Sequence, residues 1–405
     1  MRLVVFLFIC ITINNISAQT TDTELLNKAK EIHQQILSVD SHTDTPLRLY
    51  HDKKFDIGKK HKYEKDHSCV DIPRMYEGNL DAVFFAIFLG QGARNDSAYK
   101  SAYNKAVDIY NTIIKNIKKN NKYADLAKSP EDAYTLKKQN KKAIFLGIEN
   151  GYAIGLDTSL IPEFYNMGVR YITLCHTKNN DICDSSTDTA EHHGLSPFGI
   201  TVIEKMNEVG MMIDVSHISD EAFYDVIKYS KAPVIASHSC SRAICDNPRN
   251  MTDEMLKTLA KNGGVIQVCI LSDYVKTPDP DPVRDSLKNL VRIKFRNFDN
   301  LSDKEMKQAR KEWYAIDKKY PKKLANVSDV ADHIDHIVKV IGIDHVGIGT
   351  DFDGGGGIEG CMDVSQMFNI TIELLKRGYT KSDLEKLWGG NLMRVFNEVT
   401  VIANK

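Results

Sequence analysis

The chain has 405 residues, of which 42% are apolar and 26% are charged, a composition typical of an ordinary globular protein with a large buried core. Its formal net charge of -1 reflects an even mixture of Lys and Arg with Asp and Glu. This balance excludes the basic field that binding to nucleic acid requires, and it argues against a polyanionic substrate.

The first 18 residues are typical of a secretory signal peptide. Arg2 supplies a positive start, residues 4–13 form an apolar run too short to span a bilayer, and Ser17 with Ala18 provides a small-residue cleavage end. We therefore expect residues 1–18 to be removed. The mature protein, residues 19–405, is then expected to be secreted or periplasmic.

Short β-branched runs recur after this segment and alternate with longer stretches of helical period. They predict strands over residues 39–42, 82–89, 143–149, 171–176, 211–217, 234–238, 264–270 and 346–351. Alternation of strand and helix indicates βα units around a parallel sheet. Eight strands favour a closed (β/α)8 barrel of the TIM type, and thus an α/β fold with one catalytic domain over residues 19–405.

The intervening helices carry recognisable start and stop signals. Ser196 can cap a helix that begins at Pro197, and Gly210 ends it. Thr380 with Asp383 three residues later predicts a capping box at the start of another helix.

Two stretches do not fit the regular alternation and are expected to be excursions from the barrel. One is the basic segment 51–67, and the other is a helical insert at about 272–326, opened by Pro278, Pro280 and Pro282. The insert contains a charged helix around residues 302–319. That helix is either a solvated flank or a lid over the active site.

Most predicted strands end in a residue that binds metal or moves protons, and barrel enzymes place their active sites at this end. His42 and Asp44 follow the first strand at a spacing that directs both side chains to one side of an extended backbone. Glu149 ends the third strand, where a buried carboxylate needs a partner. His217 and His238 end two successive strands, each in a Ser-His pair. A single such histidine is more often structural, but two in successive strands favour metal binding.

These five side chains can form a mixed imidazole and carboxylate site. Nitrogen and oxygen donors without thiolates suit catalytic zinc better than structural zinc. The set is large enough for two Zn2+ ions, with Glu149 spanning both, because paired catalytic metals lie only about 3.5 to 4 Å apart.

Three further residues near strand ends are expected to act on the substrate. Asp351, after the last strand, is the natural proton acceptor, and His176, after the fourth, is placed to donate a hydrogen bond to an oxyanion. Arg249 offers a planar fork suited to a free carboxylate, although by itself it would more often be a surface residue.

Taken together, the motifs and their order resemble the renal (membrane) dipeptidase family over nearly the whole chain after residue 18. The matching segments are 40–44 (DSHTD), 147–151 (GIENG), 167–176 (MGVRYITLCH), 194–199 (GLSPFG), 213–217 (IDVSH), 233–238 (PVIASH) and 349–354 (GTDFDG). The resemblance implies an amidohydrolase-superfamily barrel. It also implies that His42 and Asp44 hold one zinc ion, that His217 and His238 hold the other, and that Glu149 bridges them.

The same resemblance implies roles for the remaining site residues. His176 and Arg249 would bind substrate, and Asp351 would accept the proton of the catalytic water and hold the substrate's amino group. A homodimer is expected on this ground alone. The chain lacks the hydrophobic tail by which animal members acquire a lipid anchor, so no membrane anchor is predicted, and the insert resembles that of bacterial secreted members.

The expected activity is zinc-dependent hydrolysis of dipeptides, including those with a D-residue at the second position. Two alternatives stay open. One is another metal-dependent amide hydrolase on the same barrel, acting on β-lactams or N-acyl amino acids. The other is a secreted binding protein on an inactive barrel, against which the complete ligand set argues.

Overall fold

Each predicted strand has a counterpart in the structure, a computed structural model that describes residues 23–298 and 301–403. The strands are β1 (Val39–Thr43), β2 (Ala82–Phe88), β3 (Ala124–Leu126), β4 (Lys142–Glu149), β5 (Val169–Thr173), β6 (Met212–Asp214), β7 (Ile235–Ser239), β8 (Val265–Cys269) and β9 (Val346–Gly349). The short β3 is not predicted by the sequence pattern, and it pairs with β4. The predicted signal peptide, residues 1–18, lies outside the described residues.

The strands are parallel throughout, in the order β1-β2-β4-β5-β6-β7-β8-β9, with β3 outside this path. The chain after β9 returns to β1, where Thr43 and Phe352 form a parallel bridge. There the amide of Asp44 donates to the carbonyl of Phe352 (2.8 Å). The amide of Asp351 donates to the carbonyl of His42 (3.0 Å). Eight strands thus form a nearly closed barrel with helices, which confirms the predicted fold class.

Helices connect the strands along the chain. They are α1 (23–35), α2 (Thr45–His51), α3 (Tyr63–Asp66), α4 (Ile72–Glu77), α5 (Asp96–Lys119), α6 (Pro130–Lys138), α7 (Leu160–Met167), α8 (Pro197–Val209), α9 (Asp220–Tyr229), α10 (Asp253–Lys261), α11 (Ser272–Val275), α12 (Pro282–Lys294), α13 (Asp303–Lys319), α14 (Val327–Ile341), α15 (Phe368–Lys376), α16 (Lys381–Glu385) and α17 (Asn391–Ala403). Within the described ranges, no helix is both long and apolar enough to cross a bilayer.

The helix signals that depend on local sequence are confirmed. The Ser196 side chain accepts a hydrogen bond from the amide of Gly199 at the start of α8, and Gly210 ends the helix in a left-handed conformation (φ 80°). Thr380 and Asp383 form the predicted capping box at the start of α16.

The predicted strand ends are less accurate than the predicted strand centres. The strand predicted over 211–217 ends at Asp214, because the Asp214 carboxylate accepts hydrogen bonds from the amides of Ser216 and Ser237 and turns the chain out of the ladder. His217 then adopts a left-handed backbone conformation (φ 73°). The last strand likewise ends at Gly349, and Asp351 has φ 57°.

Aromatic side chains form a cluster inside the barrel at the amino-terminal end of the strands. The Phe84 and Phe145 rings stack with centroids 4.6 Å apart, and Tyr171 lies 5.5 Å from Phe84. Phe396 of α17 packs against Phe145 from below. Because alternate residues of each strand face inward, these large rings form a solid floor, and polar groups collect above it at the carboxyl ends.

The two segments that interrupt the barrel pattern contact one another. Helices α12 and α13 of the insert pack together through a small apolar cluster that includes Val291, Phe295 and Ala309. The Tyr314 ring on α13 stacks on His67 with centroids 3.8 Å apart, so the insert rests on segment 51–67. Both segments line the cavity above the barrel mouth.

Candidate metal centre

The carboxyl ends of the strands bring the five predicted metal ligands together. His42 lies in β1, Glu149 is the last residue of β4 and His238 lies in β7, while Asp44 and His217 follow β1 and β6. None of the five is more than 5% exposed. Side chains nearly 200 residues apart thus meet in one buried cluster at the barrel mouth.

Glu149 lies at the centre of this cluster. Its Oε2 is 3.4 Å from Nε2 of His42, whereas its Oε1 is 3.1 Å from Nε2 of His217 and 3.5 Å from Nε2 of His238. The two oxygens of one carboxylate therefore face different imidazoles. This arrangement suits a carboxylate that spans two metal ions about 3.5 to 4 Å apart.

His217 and His238 direct their ring nitrogens at one another. Their Nε2 atoms lie 2.8 Å apart. Burial lowers the pKa of both rings well below its ordinary value, and the nearby positive charge of Arg249 lowers it further. Both rings are therefore neutral at physiological pH, and neutral imidazole is the form that binds metal.

The cluster has polar atoms that the described residues do not satisfy. His42 Nε2, Asp44 Oδ1 and His217 Nδ1 are buried without a hydrogen-bond partner there, although buried polar atoms are normally paired. Three groups have possible ligand atoms within 4.8 Å of one another: His42 with Glu149 and His238; Glu149 with His176 and His217; His42 with Asp44 and Asp351. These nitrogen and oxygen donors fit divalent metal ions.

A hydrogen-bond chain behind His238 orients its ring. The Ser237 hydroxyl donates to Oδ2 of Asp214 (2.6 Å) and so accepts from Nδ1 of His238 (2.8 Å). With its proton on Nδ1, His238 presents the Nε2 lone pair to the centre of the cluster. A hydrogen bond to the ring nitrogen that does not bind metal selects the tautomer and orientation of a metal-binding histidine.

Tyr171 plays the equivalent part for His42. Its phenol oxygen lies 2.9 Å from Nδ1 of His42, and both residues are fully buried. Because Nε2 of His42 faces Glu149 and Asp44, we infer that Nδ1 carries the hydrogen and donates a hydrogen bond to the phenol oxygen of Tyr171. The aromatic floor of the barrel is thus connected directly to the candidate metal centre.

Asp351 stands beside the carboxylates of this cluster on a left-handed turn after β9. Burial raises the pKa of Asp351 well above its ordinary value, and the negative charges of Asp44 and Glu149 raise it further. Left-handed conformations at non-glycine residues are strained and concentrate at functional sites. A buried carboxylate with a raised pKa suits proton transfer.

The structure places the two predicted substrate-binding residues differently. His176 lines the cavity with Nε2 3.9 Å from Oε1 of Glu149, and burial with the charge of Arg249 lowers its pKa to about 3. Arg249 is 4% exposed behind the cluster, where Nη2 donates to the carbonyl of His238 (3.2 Å) and Nε has no partner among the described residues. Its positive charge acts directly on the neighbouring imidazoles of His176, His217 and His238.

Sequence reasoning missed the residues that orient the ligands. The sequence pattern identifies Tyr171, Asp214 and Ser237 only as parts of strands, although each bonds to a candidate ligand or to its neighbour. Polar residues at positions that should face the barrel interior are the signal that could have identified Asp214 and Tyr171, because a buried polar group requires a partner.

Comparison with known proteins assigns the family. A sequence model described as "Membrane dipeptidase (Peptidase family M19)" matches residues 26–405. The chain belongs to this family. Dipeptidase 3 of Macaca fascicularis is 32% identical over 95% of this chain and 70% of its own length, and Dipeptidase tcpJ of Claviceps purpurea (strain 20.1) is 30% identical over 90% and 77%.

Solved structures agree with this membrane dipeptidase assignment. The probable dipeptidase PvdM from Pseudomonas aeruginosa superimposes with a TM-score of 0.80 at 30% identity, covering 94% of this chain and 99% of its own. A family M19 metallopeptidase, dipeptidase AC, shares the fold at 21% identity with a TM-score of 0.72. The family resemblance inferred from the motifs is confirmed, and the chain is assigned to a family of metal-dependent dipeptidases acting on small peptides.

Proposed function

We propose that this membrane dipeptidase homologue is a binuclear zinc enzyme that hydrolyses the peptide bond of dipeptides. The observation that carries the proposal is the position of Glu149, whose two oxygens face His42 on one side and His217 with His238 on the other. One zinc ion would be held by His42 and Asp44 and the other by His217 and His238, with Glu149 shared.

When bound, zinc ions polarise the scissile carbonyl and lower the pKa of water towards neutrality. The chain's own groups then move the protons. Asp351 accepts the proton of the attacking water and delivers it to the leaving amine, for which its buried carboxylate is suited. His176, kept neutral by burial, donates an N–H to the oxygen that becomes negative in the transition state.

Arg249 is proposed to recognise the substrate's terminal carboxylate. Its Nε has no hydrogen-bond partner among the described residues, and a guanidinium binds a carboxylate through two parallel hydrogen bonds. A clamp on the carboxylate would restrict substrates to about two residues, because a longer peptide has an uncharged amide at that point. Asp351 would hold the free amino group at the other end.

Metal content and turnover, measured on the same preparation, test the central proposal. The purified chain should contain two zinc ions per molecule and hydrolyse Ala-Ala, and chelation should abolish both properties. Glu149→Gln removes the bridging charge and should lose zinc as well as activity, whereas Glu254→Gln on the exposed surface of α10 should match wild type. One zinc ion per chain, or turnover that survives chelation, contradicts the proposal.

The rival amide hydrolases differ in the need for a carboxylate clamp. Arg249→Ala should reduce kcat/KM for dipeptides more than for uncharged amides. An equal loss on both substrate classes would favour the rival activities. Absence of hydrolysis by the zinc-loaded chain on every substrate would favour the inactive binding homologue.

The preferred configuration of the substrate's second residue can be measured by the same hydrolysis assay. A metallopeptidase from Rhodobacter sphaeroides that shares this fold at 20% identity was solved with a phosphinate mimic of the dipeptide L-Ala-D-Ala. We propose that this chain also accepts a D-residue at the second position. Comparable kcat/KM for L-Ala-L-Ala and L-Ala-D-Ala would support this, and failure to turn over the second would refute it.

We also propose that residues 1–18 are removed on export and that residues 19–405 act as one catalytic domain, assembled as a homodimer. N-terminal sequencing of protein recovered outside the cytoplasm should begin at Gln19. Light scattering of the purified protein should give twice the chain mass. An intact Met1 or a monomeric mass would contradict the respective part.

A further inference from the structure

The candidate metal centre lies in the floor of a cavity whose opposite wall is built by the insert. The cavity has a volume of about 940 Å³, and its lining includes Asp44 and Glu149 below and Arg310, Trp313 and Tyr314 of α13 above. This volume is near the upper end of the range for small-molecule sites. There is thus room for a dipeptide with a long side chain that reaches the insert.

Most cations of the insert wall are already paired. Arg284 bonds to Asp317 through Nη2 (3.0 Å), and Lys322 pairs with Asp273. Arg292 lies over the Trp313 ring, 5.2 Å from its centroid. Arg284 and Lys322 thus have partners within the protein and Arg292 is exposed to solvent, so these groups do not require an anionic ligand.

Arg310 is different. It lines the cavity and is only partly exposed, yet it forms no hydrogen bond or ion pair with any described residue. Burial and the positive charge of Arg48 both lower the pKa of Arg310. Removing a guanidinium from water without a counter-charge is costly, so this group has unused capacity to bind an anion.

Asp353, an acidic side chain that acts electrostatically on Arg310, already accepts three hydrogen bonds. Asp353 accepts from Nε of Arg48 (2.5 Å), from the hydroxyl of Thr45 (2.7 Å) and from the amide of Cys69 (3.0 Å). These three bonds tie Asp353 to α2 and to the backbone at Cys69, between α3 and α4. Asp353 therefore stabilises the neighbouring loop and leaves Arg310 available.

We propose that Arg310 binds the side-chain carboxylate of an acidic residue in the substrate, so that the enzyme prefers dipeptides containing Glu or Asp. This inference rests on the proposed dipeptidase function and narrows its substrate class. The substrate would be held at three charged points: the metal centre with Asp351, the terminal carboxylate clamp, and Arg310. Fixed charges of this kind give specificity through electrostatic complementarity.

The test compares each acidic dipeptide with its neutral isostere in one enzyme preparation, so that partial loss of folded protein cancels. Values of kcat/KM are measured for Glu-Ala against Gln-Ala and for Ala-Glu against Ala-Gln. We expect a preference for Glu of about tenfold or more at one of the two positions, which corresponds to about 1.4 kcal/mol. Arg310→Met should reduce that ratio to about one, while Arg310→Lys should keep part of it.

Lys311→Met is the matched control, because Lys311 lies on the same helix, carries the same charge and is exposed to solvent. Its Glu preference should equal that of wild type. A wild type without preference at either position overturns the inference, as does an Arg310→Met variant that keeps the preference. If Ala-Ala is hydrolysed in those cases, the proposed dipeptidase function stands by itself; if the zinc-loaded enzyme hydrolyses no dipeptide, both fail.

Discussion

Replacing Tyr171 by Phe tests whether the barrel floor tunes the metal centre. The substitution removes one oxygen and keeps the ring that packs against Phe84. It deprives Nδ1 of His42 of its partner at 2.9 Å, in a place where His42 is fully buried and no water can replace the bond. The variant is expected to have a lower metal affinity and to keep the fold.

The magnitude follows from the buried N–H that is left unsatisfied. An unpaired buried donor costs about 1 to 3 kcal/mol, and removing the outer partner of a metal-binding histidine typically lowers metal affinity about 10- to 100-fold. In the proposed two-zinc centre, His42 and Asp44 form one side of the cluster, so one ion should be affected more than the other. Titration of zinc against a chromophoric chelator would resolve the two affinities.

Tyr379→Phe is the control, since its hydroxyl donates to Asp335 (2.8 Å) on the helical surface and does not touch the cluster. Both variants lose one phenol hydrogen bond, so a general loss of stability would appear in both. Wild-type affinity for two zinc ions in Tyr171→Phe would refute the orienting role of this hydrogen bond.

Three further predictions concern packing, pH and metal. Gly147→Ala would place a methyl group inside the Tyr171 ring. It should therefore lower the free energy of unfolding by about 1 to 3 kcal/mol and also weaken zinc binding. An unchanged zinc affinity in this variant would show that the ring moves freely. Burial lowers the pKa of His33 to about 4 in the folded protein, below the value near 6.5 in the unfolded chain. As the pH falls, the unfolded chain therefore takes up the proton first. The stabilisation present above pH 6.5 is lost as the pH falls towards 4. Relative to His33→Gln, wild type should therefore lose about 2 kcal/mol between pH 7 and pH 5 in denaturant unfolding, and parallel pH profiles would contradict this. Chelation should lower the thermal midpoint of wild type and leave that of Glu149→Gln nearly unchanged, whereas equal shifts would mean that the metal lies elsewhere.

The local elements could be predicted because their signals lie within a few residues of one another. Helix α8 begins after Ser196 and ends before Gly210 as expected, since a cap depends on adjacent backbone groups. The short β3 could not be predicted in this way. Its three residues carry too little pattern, and they pair as a strand only because the first residues of β4, 142–144, precede the pairing of β4 with β5.

The strand-end residues of the candidate site could equally be predicted from the sequence. A parallel barrel collects the carboxyl ends of its strands at one face, so His42, Glu149 and His238 had to lie near one another once the alternation was recognised. The order of those residues along the chain also carried the family resemblance that the comparisons confirm.

The sequence by itself therefore determined the barrel, the capped helices and the group of residues that surround the candidate metals, because periodicity, caps and strand ends are local properties. Only the tertiary structure decided which oxygen of Glu149 faces which imidazole, that Tyr171 supports His42, and that Arg310 lines the cavity without a partner among the described residues. Those relations join atoms from distant segments. Their distances follow from the packing of the closed sheet and the insert, which no local pattern encodes.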